Sequence, residues 1–102
     1  MNSEPYGLSQ EDWQFIKDEL IDPLKQKGAK VWLFGSRATG KHSKFSDIDL
    51  LYESQDEFSL SFVSELKEKM EESRLPVKTD LVNKNWIASS YKQNILKQLI
   101  PL

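Results

Sequence analysis

The chain contains no cysteine, a single histidine and only two arginines among its 102 residues. Without cysteine, neither disulfide bonds nor thiolate metal sites can form, which suits a cytoplasmic protein. The basic residues are mostly scattered lysines and the formal net charge is −2, so we expect no unaided binding of a long nucleic acid. No apolar run approaches membrane-spanning length, and the N-terminus lacks a basic-then-apolar signal pattern. These absences predict a soluble, cytoplasmic protein without a membrane partner.

The length and composition predict one folded domain. The sequence is 38% hydrophobic and 29% charged, a balance that argues against disorder. A chain of 102 residues can bury one modest core but not two, so we expect a single domain over residues 1–102.

Apolar periodicity predicts three helices and about three strands. In chain order these are a helix at 9–24, strands at 30–34 and 46–52, a helix beginning near Phe58 and ending at 73, a strand at 77–82 and a helix at 86–99. Only residues 35–45 separate the first two strands, which is too short for a crossover helix. These strands should therefore be antiparallel, with one helical turn at 37–39 between them. The predicted fold class is α/β (α+β), a small mixed sheet with helices packed on it in the order α-β-β-α-β-α.

The first predicted strand is apolar at nearly every position, which predicts a central strand buried on both faces. The first predicted helix has a clear start and an awkward interior. Ser9 followed by Asp12 is typical of an N-terminal capping box. Pro23 removes a hydrogen bond and kinks a helix axis. Either the helix bends at Pro23, or a short second helical segment begins at Asp22.

Two aspartates stand two residues apart in the second predicted strand. Aspartate is depleted in strands, yet alternation would place Asp47 and Asp49 on the same face. Adjacent carboxylates repel and raise each other's pKa unless a cation holds them. Hard oxygen ligands suit Mg²⁺, with phosphate and water completing its shell. Asp80 would supply a third carboxylate if its strand lies beside the strand of Asp47 and Asp49. By itself, Asp80 could equally be a capping residue or pair with a lysine.

A glycine and a serine follow the first predicted strand. Gly35 allows a sharp turn and a close approach of the backbone to a ligand, and Ser36 offers a hydroxyl. Free N–H groups of a following helical turn would bind phosphate, and the fork of Arg37 suits phosphate oxygens. Taken singly, these residues are more often a simple turn and a surface charge. His42 is more often solvated than catalytic, and we assign it no role.

The combined motif resembles the signature of the polymerase-beta-like nucleotidyltransferase superfamily. The string GSRATG at 35–40, followed by SDIDL at 46–50, is most similar to the minimal nucleotidyltransferase group. The resemblance extends from about Gly28 to Val82. Thr39 departs from the pattern, because many relatives carry a second basic residue there.

The resemblance implies a role for each residue of the motif. It places the triphosphate of ATP or another NTP on one group of residues and two Mg²⁺ ions on another. The nucleotide-binding residues are Gly35, Ser36 and Arg37, and the metal-binding and catalytic residues are Asp47, Asp49 and Asp80.

The resemblance also implies a partner protein. Larger members of the superfamily carry extra domains that grip the acceptor, whereas minimal members are often paired with a helical protein of the HEPN type. We expect a metal-dependent enzyme that transfers AMP from ATP to a hydroxyl of such a partner. A tyrosine of a HEPN-type toxin is the favoured acceptor, which would make this chain an antitoxin. Two alternatives are a catalytically silent neutralising module of the same fold, and a transferase for a small molecule such as an aminoglycoside.

Overall fold

The computed structural model describes residues 5–54, 60–87 and 89–102. Its elements follow the predicted order, with one strand added at the C-terminal end. They are a 3₁₀ turn at Pro5–Gly7, α1 (Gln10–Ile16), a π-helical segment at Lys17–Ile21, α2 (Asp22–Gln26), β1 (Lys30–Phe34), α3 (Ser36–Thr39), β2 (Ile48–Glu53), α4 (Leu60–Glu71), β3 (Thr79–Asn83), a 3₁₀ turn at Lys84–Trp86, α5 (Ser89–Leu96) and β4 (Ile100–Pro101). The predicted start of the α4 helix at Phe58 lies outside the described residues. No helix in the described ranges is both long and apolar enough to cross a membrane.

The four strands form one mixed sheet in the order β3-β2-β1-β4. β2 runs antiparallel to β1 and parallel to β3, and β4 adds antiparallel to the other edge of β1. The predicted antiparallel pairing of the first two strands and the central position of β1 are confirmed. β4 was not predicted, because a strand of two residues leaves no periodic pattern in the sequence.

The sheet has one face covered by the core and one that carries charge. On the core face, Val31 and Leu33 of β1 and Leu50 of β2 are at most 3% exposed and pack with the buried side chains of the helices. On the opposite face, Trp32 and Phe34 are only half-buried. The prediction that β1 is buried on both faces is therefore wrong for its second face. We call this second face, which includes Trp32, Phe34, Asp49 and Asp80, the carboxylate face.

The first helix accommodates its proline with a widened turn. The Ser9 hydroxyl accepts a hydrogen bond from the Asp12 amide at 3.1 Å, as the capping pattern predicts. In the π-helical segment, the Asp22 amide donates to the carbonyl of Lys17, five residues earlier. Pro23 then falls in the first turn of α2, where its missing N–H costs little. The backbone stays right-handed helical through Ile21 and Asp22, so α2 continues the helix as a short segment that begins at Asp22.

Packing explains why this irregular helix is stable. Its buried side chains are Ile16, Leu20, Ile21 and Leu24, all at most 2% exposed. Burial of a side chain of this size contributes about 1.5–3 kcal/mol. Four such contributions outweigh the weaker hydrogen bonds of a single π turn.

Candidate active site

Three strand ends bring the predicted site residues to one edge of the sheet. Gly35 directly follows β1, Asp47 directly precedes β2, and Asp80 is the second residue of β3. Because β1 is antiparallel to the other two strands, its end lies beside their beginnings. Asp49 pairs in register with Phe34 on one side and with Asp80 on the other. Neighbouring strands lie about 4.8 Å apart, so Asp49 and Asp80 are direct neighbours on the carboxylate face.

The electrostatics of Asp49 reflect this crowding. Its half-buried carboxyl has a pKa raised to about 6, first by loss of hydration and then by the charges of Asp80 and Asp47. Asp47 and Asp80 are themselves exposed. The three carboxylates therefore interact electrically, and the innermost one is the group whose charge is hardest to maintain.

The carboxylates fit a divalent cation without forming a closed cage. Within residues 5–54, 60–87 and 89–102, no three acidic or histidine side chains converge closely enough to surround an ion. Carboxylates that repel one another are expected to splay apart when no cation separates them. Mg²⁺ needs only one or two protein carboxylates, because water and substrate phosphates complete its octahedron. We call the side chains of Asp47, Asp49 and Asp80 the carboxylate row. Their donor chemistry and their mutual repulsion suit such an ion.

Gly35 lies against the Asp49 carboxylate and could not be another residue without strain. Its φ of +81° is in the region that favours glycine. A Cβ atom at this position would overlap a carboxylate oxygen of Asp49 and lie 3.1 Å from its Cγ. The glycine thus serves both the turn and the close approach of the backbone to the carboxylate row.

The turn after Gly35 presents hydrogen-bond donors. Ser36 and Arg37 begin α3, and among the described residues no acceptor is found for their main-chain N–H groups. The next two amides, of Ala38 and Thr39, both donate to the Gly35 carbonyl. The two free amides and the Ser36 hydroxyl can therefore receive the oxygens of a ligand.

Gln98 is a site-adjacent residue that the sequence analysis missed. Its Oε1 accepts a hydrogen bond at 3.2 Å from the Gly35 amide, although the two residues are 63 positions apart. Gln98 lies between α5 and β4, so the C-terminal segment helps to hold the turn. No signal in the sequence distinguishes it from other polar residues that follow a helix.

Arg37 does not face the turn in the way the sequence predicted. The side chain is only 2% exposed, and each of its nitrogens donates to a main-chain carbonyl. Nη1 reaches Tyr6 at 2.8 Å, Nε reaches Ser46 at 3.0 Å and Nη2 reaches Lys44 at 3.2 Å. Burial lowers the pKa of Arg37, and the nearby Asp47 carboxylate opposes that shift. The guanidinium is both buried and occupied, so the phosphate contact predicted for Arg37 is left to its main-chain amide.

Similarity to known proteins covers most of the chain. The profile of the family described as polymerase beta, nucleotidyltransferase, matches residues 18–102. A Haemophilus influenzae protein named probable protein adenylyltransferase MntA is 37% identical over 67 residues, which cover 66% of this chain. The same alignment spans 59% of the relative's length, less than two thirds of it.

Two solved structures share the fold. A protein assigned as a minimal nucleotidyltransferase superposes with a TM-score of 0.69 and 29% identity, covering 90% of this chain and 94% of that one. A crystal structure of a toxin–antitoxin with AMP-PNP gives a TM-score of 0.65 and 25% identity, covering 83% of this chain and 70% of that one.

The contact between Gly35 and Asp49 predicts unequal effects of two glycine substitutions. Gly28 has a similar φ of +88°, but no described atom lies within 4 Å of its Cβ position. Gly28→Ala should therefore lower the free energy of unfolding only by the strain of the left-handed backbone, about 1–2 kcal/mol. Gly35→Ala adds an overlap with Asp49 and should lower it further, as measured by urea unfolding. Equal losses for the two variants would contradict the proposed contact.

The raised pKa of Asp49 predicts how stability depends on pH. The folded value of about 6 lies above the unfolded value of 3.8, so the folded state holds more protons in this window. Stability should therefore fall as pH rises from about 4 to 6, and the loss should persist above pH 6.

Asp49→Asn removes that charge. We expect the variant to exceed the wild type by about 1–3 kcal/mol in urea unfolding at pH 7 with EDTA. The two proteins should converge near pH 4. A variant that is less stable than the wild type at pH 7 would contradict this electrostatic account.

Proposed function

The chain belongs to the polymerase beta nucleotidyltransferase family. On that premise we propose that it transfers AMP from ATP to a hydroxyl group of a partner protein. The observation that carries the proposal is the pairing of Asp49 with Asp80 beside the Gly35–Ser36 turn. This arrangement sets paired carboxylates next to the amides of Ser36 and Arg37, for which the described part of the chain provides no acceptor, as the reaction requires.

The Gly35–Ser36 turn binds the triphosphate in this proposal. The main-chain amides of Ser36 and Arg37 donate to phosphate oxygens, and the Ser36 hydroxyl adds a third donor. The adenylyltransferase name of the Haemophilus relative and the AMP-PNP of a structural neighbour support ATP as the nucleotide. Because Thr39 lacks a charge, the triphosphate receives less positive charge here than a basic residue would supply.

The carboxylate row performs the chemistry. Asp47, Asp49 and Asp80 would hold Mg²⁺, and two such ions would activate an attacking hydroxyl and stabilise the leaving pyrophosphate. In the displacement, the acceptor oxygen bonds to the α-phosphorus as the bond to the bridging oxygen of pyrophosphate breaks. In this proposal Asp80, whose side chain is exposed, takes the proton of the acceptor.

A protein acceptor fits the surroundings of the site. Phe45 is 69% exposed and lies two residues before Asp47, so an apolar anchor for a partner stands close to the row in sequence. The toxin–antitoxin assembly of a structural neighbour supports an antitoxin role. We further propose that the partner is a HEPN-type helical toxin and that its acceptor is a tyrosine.

Label transfer tests this function. The chain, incubated with the protein that co-purifies with it, should move label from [α-³²P]ATP to that protein in the presence of Mg²⁺. EDTA should abolish the transfer, and Asp49→Asn should slow it by at least about 100-fold, because the charge that the row supplies is lost. Asp18→Asn, at an exposed carboxyl of the π-helical segment, is the matched control and should leave the rate unchanged.

Two outcomes would overturn the proposal. A tight complex that forms without any label transfer, and that survives Asp49→Asn, would identify a silent neutralising module. Label transfer to an aminoglycoside or another small alcohol without any partner would identify a small-molecule transferase.

A further inference from the structure

The buried guanidinium of Arg37 connects two parts of the chain that flank the site. Two of its hydrogen bonds go to the carbonyls of Lys44 and Ser46, in the segment of residues 40–47 that we call the acid loop. The third goes to the carbonyl of Tyr6, in the 3₁₀ turn Pro5–Gly7. Ser46 is the residue immediately before Asp47. The position of one carboxylate of the row is therefore tied, through Arg37, to the N-terminal turn.

The acid loop depends on this attachment near its middle. Within the loop, the Ser43 amide donates to Ser46 Oγ at 2.8 Å, and the Ser46 amide donates to the Ser43 carbonyl. These bonds shape a local turn, but they join the loop only to itself. The bonds from Arg37 join that turn to the protein.

The N-terminal turn is built to receive Arg37. Gly7 has a φ of +79°, and a Cβ atom there would overlap the His42 ring and lie 2.9 Å from Arg37 Nη1. His42 is thus packed against the turn, and not free in solvent as the sequence suggested. Tyr6 is held at a φ of +56°, with its ring edge-on to Trp13 at 5.1 Å between centroids. This conformation directs the Tyr6 carbonyl to the guanidinium.

We propose that the turn Pro5–Gly7 and Arg37 form a latch that holds the acid loop, and with it Asp47, in the position that nucleotide binding requires. The side chain of Arg37 then positions the loop and touches no substrate, while its main-chain amide remains free to receive phosphate. Of the parts of the latch, the turn Pro5–Gly7 lies before residues 18–102, which match the family profile, whereas Arg37 and the acid loop lie within them. Its effect on nucleotide binding rests on the proposed function.

Two substitutions act on the latch from different sides. Gly7→Ala lies outside the site, and its new Cβ atom would disturb the packing of Arg37 and His42 against the turn. Arg37→Lys keeps the charge, but one ammonium cannot reach three carbonyls. The matched controls are Gly28→Ala, with a similar positive φ and no close neighbour among the described residues, and Arg74→Lys, at an exposed arginine.

The readouts are amide hydrogen exchange of residues 41–47, which needs no ligand, and calorimetric titration with AMP-PNP and Mg²⁺. Both latch variants should speed exchange in the loop and weaken AMP-PNP binding, each by about tenfold or more. Amides of β1 and β2 should stay protected, which shows that the variants are folded. The controls should change neither quantity.

Other outcomes would overturn the latch. If Arg37→Lys weakens AMP-PNP binding while loop exchange and the Gly7→Ala protein are unchanged, Arg37 contacts the phosphates directly. If loop exchange rises but binding stays the same, the site does not need the loop to be held. A wild-type protein that binds no AMP-PNP would instead refute the proposed function. In that case, the hydrogen exchange of residues 41–47 in the two variants would by itself show whether Arg37 and the turn hold the loop.

Discussion

The parallel register between β2 and β3 is the constraint on which the rest of the site depends. It places Asp49 directly opposite Asp80, and thus forces two carboxylates together at the edge of a small sheet. The core on the other face, with Ile48 and Leu50 of β2 and Leu81 of β3 buried, fixes this register, because a slip by one residue would turn side chains of one strand outward. Apolar packing on the opposite face of the same strands therefore offsets the electrostatic repulsion between the two carboxylates.

The sequence was sufficient for the fold class and for the chemistry-bearing motif. Helical and strand periodicities are local patterns, so the order of the elements and the antiparallel pairing of β1 with β2 could be predicted from them. The short spacing between Gly35 and Asp47 restricts the connection enough to determine the pairing direction. The DxD pattern was informative because two carboxylates on one strand face are costly without a function.

The remainder could not be predicted because it depends on contacts between residues far apart in the chain. Gln98 reaches Gly35 across 63 positions, and β4 is defined by its pairing with the edge of β1. Arg37 is the most instructive case. An arginine beside a Gly-Ser turn is expected to bind phosphate. Here its guanidinium instead donates, inside the protein, to the carbonyls of Tyr6, Lys44 and Ser46. A residue type in a motif indicates what chemistry is possible, whereas burial and partners decide which atoms it serves.

The central claim is that Asp47, Asp49 and Asp80 form one divalent-cation site beside the Gly35 turn. Paramagnetic broadening by Mn²⁺ of the amide signals of the ¹⁵N-labelled protein tests it most directly. The amides of Gly35, Asp49 and Asp80 should broaden first, and Asp49→Asn should remove this selectivity. Broadening that is equally strong along the exposed acidic side chains of α4, such as Glu65 and Glu68, would contradict it.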